Sequence, residues 1–431
     1  MSMKLRLILM NFFQFAVWGA YLTSMGSYLT SLNQASHIGM FYAIQGTVSI
    51  FMPALMGIVA DRWVPAQKLY GLCHLVAGFF MAAAGIYGYS AGAGIEVSVL
   101  FALYTASVAF YMPTLALSNS VAYSLLERVG LDTVRSFPLI RIFGTIGFIC
   151  AMLFVDATGY QQTHAQFVTS GILGLALAAY ALSCLPHIAI VRTGGTKKSV
   201  AESFGLDAFK LFKNRKMAIF FVFSMLLGAS LQITNGFANP FITSFQVIPE
   251  FAGSFGARHA NALISISQVS ETLCILLIPF FLRKFGIKKV MLIAMTAWVL
   301  RFGLFGAGDL GPNIWMLILS MIVYGVAFDF FNISGSLFVD KETTPSIRSS
   351  AQGLFMLMTN GVGATIGTLG AQAVVNRFTH AETYGGITFT VGDWSSTWYV
   401  FAGYALVVAI SFALIFNYKH KPEAVPTVKH G

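Results

Sequence analysis

The chain has 431 residues, of which 57% are hydrophobic and only 10% are charged. Soluble domains carry about 25% charged residues, so this composition excludes an ordinary soluble protein. The formal net charge of +10 is compatible with nucleic-acid binding, but the distribution of the basic residues along the chain argues against that class.

The apolar residues form repeated runs that are long enough to cross a bilayer, which takes ~20 mostly apolar residues in a helix. The sequence therefore predicts an all-α integral membrane protein with twelve transmembrane helices. In chain order, the predicted spans are 5–29, 38–60, 68–90, 95–126, 137–158, 165–189, 217–245, 258–282, 288–307, 313–338, 350–374 and 397–417.

Lysine and arginine cluster at alternate connections between these spans. Of the 26 basic residues, 22 lie before the first span, after the even-numbered spans or in the tail, and the opposite connections hold only Arg258 and Arg377. Basic residues remain on the cytoplasmic side of membrane proteins. This pattern predicts that both termini are cytoplasmic.

The longest connection, 190–216, divides the spans six and six. Similar segments recur about half a chain apart, since VAFYMPTLALSN begins at Val108 and VAFDFFNISGSL begins at Val326. Parallel six-helix repeats are typical of transporters with a substrate site between the halves at the bilayer midplane. The predicted units are an N-terminal bundle at 1–189, a cytoplasmic linker with a short amphipathic helix at 190–216, a C-terminal bundle at 217–417 and a cytoplasmic tail at 418–431.

The connection after the second span reads GIVADRW. It resembles the Gly-x-x-x-Asp-Arg signature of the major facilitator superfamily, with matches at Gly57, Asp61 and Arg62, although the Gly-Arg-Arg that follows in that signature is absent here. In that superfamily the loop helps to hold the cytoplasmic side closed, so the resemblance implies a cytoplasmic gate. A charged turn that only sets topology is the alternative interpretation.

Four spans carry polar and aromatic residues at membrane depth, with spacings that place them on one helix face. Ionisable residues inside a membrane usually face a cavity or a partner, and of the 16 acidic residues only Glu271 and Asp329 lie near the middle of a predicted span. The candidate residues are Arg141, Thr145 and Phe148 on the fifth span, Gln232 and Asn235 on the seventh, Gln268 and Glu271 on the eighth, and Tyr324, Phe328 and Asp329 on the tenth. Hydrogen bonding between helices would explain a single stripe equally well, but four stripes with charges favour a ligand cavity.

This set of groups suits a polar solute that contains a ring. Aromatic faces stack on heterocyclic bases for ~1–3 kcal/mol per base, amides pair with heterocycle edges, and a carboxylate binds ribose hydroxyls. A nucleoside uses all of these groups, and a sugar remains the alternative. An intramembrane enzyme would need a metal-ligand cluster or a nucleophile with its base, whereas the eight histidines are scattered. We therefore predict a transporter that has no metal or cofactor and no obligate protein partner.

Several segments resemble the nucleoside:proton symporters of the major facilitator superfamily, among them FPLIRIFGTIGFI, LQITN, SISQVSETL and SMIVYGVAFDFFNISGS. The resemblance extends from the first span to the last. It implies import of nucleosides with protons across the bacterial inner membrane, by alternating access of two six-helix halves. It also implies that Asp329 couples transport to protons and that the other candidate residues above bind the nucleoside.

Asp329 stands among Phe328, Phe330 and Phe331. An apolar surrounding favours the neutral form of a carboxyl group, and access of water makes the charged form less costly. Proton occupancy can therefore follow the conformation of the protein. The structural alternative is a fixed hydrogen bond to a neighbour such as Asn332, one helical turn away.

Overall fold

The computed structural model describes residues 2–188, 206–344 and 347–418, and these residues are mostly helical. The helices match the predicted spans and keep their numbers here. They are Met3–Gly19 and Met25–Ser31 (span 1), Ile38–Arg62 (span 2), Ala66–Ala91 (span 3), Val97–Arg128 (span 4), Thr133–Ala157 (span 5), Ala165–Cys184 (span 6), Arg215–Ser244 (span 7), Ala260–Ile275 (span 8), Ile278–Ala307 (end of span 8 and span 9), Ile314–Glu342 (span 10), Arg348–Met356 with Leu357–Gly363 and Ala364–Phe378 (span 11), and Trp394–Ile415 (span 12).

Within the described residues, ten helices are by themselves long and apolar enough to cross a membrane. The other two spans are interrupted. In span 1 the regular helix stops after Gly19, and the hydroxyl of Tyr42 donates a hydrogen bond to the carbonyl of Leu22 in the gap. In span 8 the helix stops at Ile275 and resumes with Pro279 in its first turn, where a residue that lacks an N–H is tolerated. The breaks explain why uninterrupted hydropathy finds ten spans.

Gly286 ends span 8 and begins span 9. Its φ of 74° lies in the left-handed region, which a residue without a Cβ adopts at little cost. The chain therefore reverses between two helices without a longer loop.

A short β-hairpin follows span 11 and was not expected from the sequence. Strands β1, Thr379–Tyr384, and β2, Ile387–Gly392, are antiparallel, with Tyr384 opposite Ile387. The turn consists of Gly385 and Gly386, both with positive φ, as a tight two-residue hairpin requires. The end of the bundle that carries this hairpin is called the hairpin end, and the opposite end, with the clustered Lys and Arg, is called the basic end.

The helices pack as two groups, spans 1–6 and spans 7–12. In the first group span 3 packs on span 6 and span 1 on span 5, and in the second group span 9 packs on spans 10 and 12. The groups meet where span 2 contacts span 11 and span 5 contacts span 8. A site between spans 5, 7, 8 and 10 is therefore shared by both groups.

The predicted linker helix includes Phe204, which is outside the described residues, so the helix lies only partly within them. Leu206–Lys213 forms 3₁₀ turns in place of the expected α-helix. The rings of Phe209 and Phe212 stack with centroids 6.0 Å apart, and Phe212 also lies 5.5 Å from the ring of Phe221 on span 7. The segment thus packs against span 7 through its aromatic residues.

Candidate functional site

Arg141 projects from span 5 and is the one positively charged residue among the candidates on the N-terminal side of the site. Its guanidinium carbon lies 4.0 Å from the centroid of the Phe15 ring on span 1. The side chain is half-buried, so it is reached by solvent although it lies at membrane depth. Stacking on an aromatic ring fixes the direction of a guanidinium, and here it holds the positive charge toward the opposite half.

Two carboxylates of the C-terminal half stand in the field of Arg141. Glu271 on span 8 and Asp329 on span 10 both interact electrostatically with this arginine and with each other. Within the part of the chain that the structure describes, no ion pair within 4.0 Å joins Arg141 to either one. Arg141 and the two carboxylates are therefore not paired directly in this conformation.

The two carboxylates differ in their access to solvent. Glu271 is half-buried, whereas Asp329 is 6% exposed. Oδ2 of Asp329 is buried and has no hydrogen-bond partner, and no bond to Asn332 is present among the described side chains. The fixed hydrogen bond considered as a structural alternative is thus not seen in this conformation.

The amides lie on spans 7 and 8. Asn235 donates a hydrogen bond from Nδ2 to Oε1 of Gln232 at 3.1 Å, and this bond leaves one N–H of Asn235 and the N–H groups of Gln232 for a ligand. Gln268 on span 8 faces the hydroxyl of Tyr324. Asn235 and Gln268 are both half-buried, as expected for groups that line a cavity.

Aromatic rings line the site on both sides. Tyr324 and Phe328 on span 10 are parallel, with centroids 5.8 Å apart and an interplanar angle of 4°. On the other side, Phe148 meets the edge of Trp18 at 6.4 Å, and Thr145, one turn earlier on span 5, is half-buried. The site thus offers aromatic faces from both halves.

Sequence reasoning missed the residues that support these groups. Phe15 and Trp18 are three residues apart on span 1, but an aromatic pair in an apolar run has no feature that separates it from lipid-facing residues. Arg301 on span 9 is another of these supporting residues. It is 2% exposed, donates to the carbonyl of Ser320 at 2.8 Å, and stacks on Tyr324 with its guanidinium carbon 4.6 Å from the ring centroid. It therefore fixes one of the site's aromatic rings.

The residues of the predicted gate lie at the basic end of span 2. No atom of the described residues lies within 4 Å of the place where a Cβ of Gly57 would stand. The side chains of Asp61 and Arg62 lie outside the described part of the structure. The gate therefore stays a prediction.

Comparison with known proteins gives consistent matches over the whole chain. The family model described as "Nucleoside H+ symporter" matches residues 1–421. The nucleoside permease NupG of Escherichia coli is 46% identical over 435 aligned positions, with 100% of both chains covered. The xanthosine permease of the same organism is 47% identical over 428 positions, which cover 99% of this chain and 98% of the permease.

Solved structures show the same similarity. A crystal structure of the nucleoside transporter NupG has a TM-score of 0.86 and 46% identity, with 97% of this chain and 100% of that chain covered. The xylose transporter XylE from E. coli, in a partially occluded inward-open conformation, has a TM-score of 0.60 at 13% identity and covers 99% of this chain and 100% of its own. At that identity the likeness to XylE shows a common fold.

Proposed function

The chain belongs to the nucleoside H+ symporter family, and from this premise we propose that it imports nucleosides together with protons. We place it in the bacterial inner membrane with both termini in the cytoplasm, because the basic residues cluster at the end of the bundle that carries the N-terminus. The hairpin end then faces the periplasm and the basic end the cytoplasm.

One observation carries the proposal. A guanidinium on one half faces two carboxylates on the other, with no direct ion pair between Arg141 and Glu271 or Asp329 among the described residues. A nucleoside has ribose hydroxyls that donate to a carboxylate, and a base whose acceptors suit Arg141 and the amides. A ligand that bridges these groups draws the halves together.

The nucleoside-binding residues in this proposal are those named from the sequence. They are Arg141, Thr145, Phe148, Gln232, Asn235, Gln268, Glu271, Tyr324 and Phe328. In the proposed arrangement, the aromatic rings stack on the base and the amides bind its edge, while Glu271 binds the ribose. Each contact lies on a helix, so each half keeps the geometry of its own contacts when the halves move.

Asp329 is the proton-coupling residue of the proposal. Burying a charged carboxylate without a hydrogen-bond partner is costly, and Oδ2 of Asp329 is in that position. A proton that enters from the periplasmic side neutralises the group and lowers the cost of closing the site around it. When water reaches Asp329 from the cytoplasm, the proton leaves and the cycle can repeat.

The test uses two variants in proteoliposomes. Asp329→Asn imitates the protonated form, so it should bind uridine with wild-type affinity but fail to concentrate it when the outside is made acidic. Glu271→Gln should lose affinity by about tenfold or more, because a hydrogen bond to a charged group contributes ~1.5–3 kcal/mol. Proton-driven accumulation by Asp329→Asn would remove Asp329 from the coupling step and leave Glu271 as the candidate.

A sugar transporter is the alternative substrate class, and ligand competition separates the two. Uridine and adenosine should displace labelled uridine from the purified protein, while free ribose should not. Displacement by ribose alone at similar concentrations would show that the base contributes nothing and would favour a sugar.

Two further parts of the proposal concern the moving units. The rigid units are the bundles 1–189 and 217–417, joined by 190–216 and followed by the tail 418–431. Gly57, Asp61 and Arg62 would close the cytoplasmic side when the halves rock. Loss of transport with retained binding in Asp61→Asn would support this role, and unchanged transport would contradict it.

A further inference from the structure

A small cavity lies beside Phe328, between spans 7, 9, 10 and 11. Its walls include the rings of Trp298, Phe328 and Phe331, and the side chains of Asn332 and Asn360 also line it. The cavity is partly open and has a volume of about 20 Å³, which is room for one water-sized group. A nucleoside base is too large for this space, but a single amino or oxo substituent of a base fits.

The two amides in the cavity have unused hydrogen-bonding capacity. Within the described part of the chain, Asn332 makes no side-chain hydrogen bond, and Asn360 has only a contact of 4.0 Å from Nδ2 to the sulfur of Met356. Both side chains are half-buried. By contrast, the neighbouring Thr359 hydroxyl already donates to the carbonyl of Phe355 at 3.0 Å. An amide that is partly removed from water needs a partner, and a substituent with polar atoms supplies one.

The backbone is shaped to place these amides. Asn360 lies in a π-helical stretch, Leu357–Gly363, and such widened turns are frequent at functional sites because they re-aim side chains. Span 7 approaches this stretch closely, since a Cβ at Gly228 would overlap the carbonyl of Thr359. Asn332 is one helical turn from Phe328 on the same face of span 10, and both residues line the cavity.

We propose that this cavity receives the exocyclic substituent of the nucleoside base and that Asn332 and Asn360 determine base specificity. The inference rests on the proposed nucleoside transport and extends it to the choice of base. The oxygen of an amide accepts from an amino group and its N–H donates to an oxo group. Two amides together therefore accept bases of both kinds while binding bases without a substituent less well.

Matched ligands test this directly. Adenosine and inosine carry an amino and an oxo group at the same ring position, and purine riboside carries neither. Calorimetry on the purified protein should show purine riboside binding about tenfold more weakly than the other two, as expected for one lost polar contact to a base edge. Asn332→Ala and Asn360→Ala should lower affinity for adenosine and inosine and leave that for purine riboside unchanged.

Variants that keep the volume of the side chain provide a second measurement. Asn360→Asp retains the acceptor oxygens and loses the N–H donors, so it should bind adenosine in preference to inosine and cytidine in preference to uridine, by about tenfold. Gly370→Ala is the control, because this exposed position lies on the same span and no atom of the described residues is within 4 Å of the place where a Cβ would stand. It should leave every affinity unchanged.

The outcomes separate this inference from the function on which it rests. Wild-type protein that binds no nucleoside overturns both. The specificity site is overturned if the wild-type protein binds nucleosides but the variants lose affinity for purine riboside as much as for inosine, or lose affinity for neither. That result leaves nucleoside transport intact. A changed ratio of the affinities for adenosine and inosine in Asn360→Asp supports the specificity site, even where the alanine variants do not fold.

Discussion

At the hairpin end the two halves are joined by hydrogen bonds, whereas at the basic end each of the polar contacts named below stays within one half. The bonds that cross at the hairpin end include Thr23–Asn261, Ser27–Asn239, Thr30–Thr390, Gln161–Asn239 and Gly39–Gln372. The contacts at the basic end include Arg6 with the Cys184 carbonyl, Lys216 with Glu342, and Arg348 with Asp340.

The course of span 2 shows the same difference. A Cβ at Gly39 would lie 2.7 Å from the Cβ of Gln372 on span 11, and one at Gly46 would lie 2.7 Å from the carbonyl oxygen of Gly361. At Gly57, nearer the basic end, no atom of the described residues lies within 4 Å of that position. Within the described part of the chain, spans 2 and 11 are therefore in contact at the hairpin end and diverge toward the basic end.

The neutral hydrogen bonds at the hairpin end suit a transporter that must open this end again. Each neutral hydrogen bond contributes ~0.5–1.5 kcal/mol net, so a handful of them favours closure by a few kcal/mol. An equilibrium of that size leaves the alternative conformation populated at about 0.1–10%. Single substitutions at the hairpin end should consequently shift the balance between the two conformations.

The largest effect is expected at Gly26. Its Cβ position overlaps the carbonyl of Gly236, and it lies 2.8 Å from Cγ of Pro240. Gly26→Leu should prevent closure of the hairpin end and abolish uptake. Pulsed EPR between spin labels on the connection 32–37 and on the β-hairpin should show a longer distance. Gly403→Leu, at a position with nothing within 4 Å, is the control, and equal distances in both variants would contradict the expectation.

A smaller shift is expected at Asn239, which connects the halves twice. It accepts from Ser27 at 2.5 Å and donates to Gln161 at 3.2 Å, and it is 0% exposed. Asn239→Ala leaves Ser27 and Gln161 without the amide that they bond to, and it should disfavour closure by ~1–3 kcal/mol. Alkylation of a cysteine placed at the hairpin end should become faster. An unchanged rate would show that these bonds form without holding the end closed.

Hydropathy and charge predicted the spans, but several features of these ends depend on tertiary contacts. The interruption in span 1 coincides with a bond from Tyr42, which no local pattern reveals. The hairpin had a local signal, Gly385-Gly386 between short stretches that include β-branched and aromatic residues, but it was overlooked because the expected fold was entirely helical. Arg301 could not be paired with Tyr324 from sequence, since the two lie on different helices.

The contact between His259 and Asp156 at the hairpin end should contribute less than Asn239. Nδ1 of His259 lies 2.7 Å from Oδ2 of Asp156, and 37% of the histidine side chain is exposed against 5% of the aspartate side chain. Water that reaches the histidine screens the contact, and solvent-screened pairs contribute about 1 kcal/mol or less. Asp156→Asn should therefore raise the alkylation rate only a few-fold, and high salt should reduce the difference from wild type. A rise in the alkylation rate as large as that in Asn239→Ala would show that the pair behaves as a buried one.

An effect of similar size is expected at Thr30, which is 2% exposed and lies 3.0 Å from the hydroxyl of Thr390 on β2. The Thr30 hydroxyl donates to the carbonyl of Gly26 at 2.9 Å, so in the pair with Thr390 it is the acceptor. Thr30→Val keeps the shape and leaves the buried Thr390 donor without that acceptor, which should cost ~1 kcal/mol of closure.

Replacing both threonines by valine should restore most of this loss, because an apolar pair of the same shape leaves neither hydroxyl unsatisfied. The same EPR distance, measured in wild type, Thr30→Val, Thr390→Val and the double variant, gives the coupling between the two groups. If the double variant opens the hairpin end further than either single variant, the two hydroxyls act on closure independently. A closed double variant with two partly open single variants would show that closure depends on matching the halves, and that the polar contact itself contributes little.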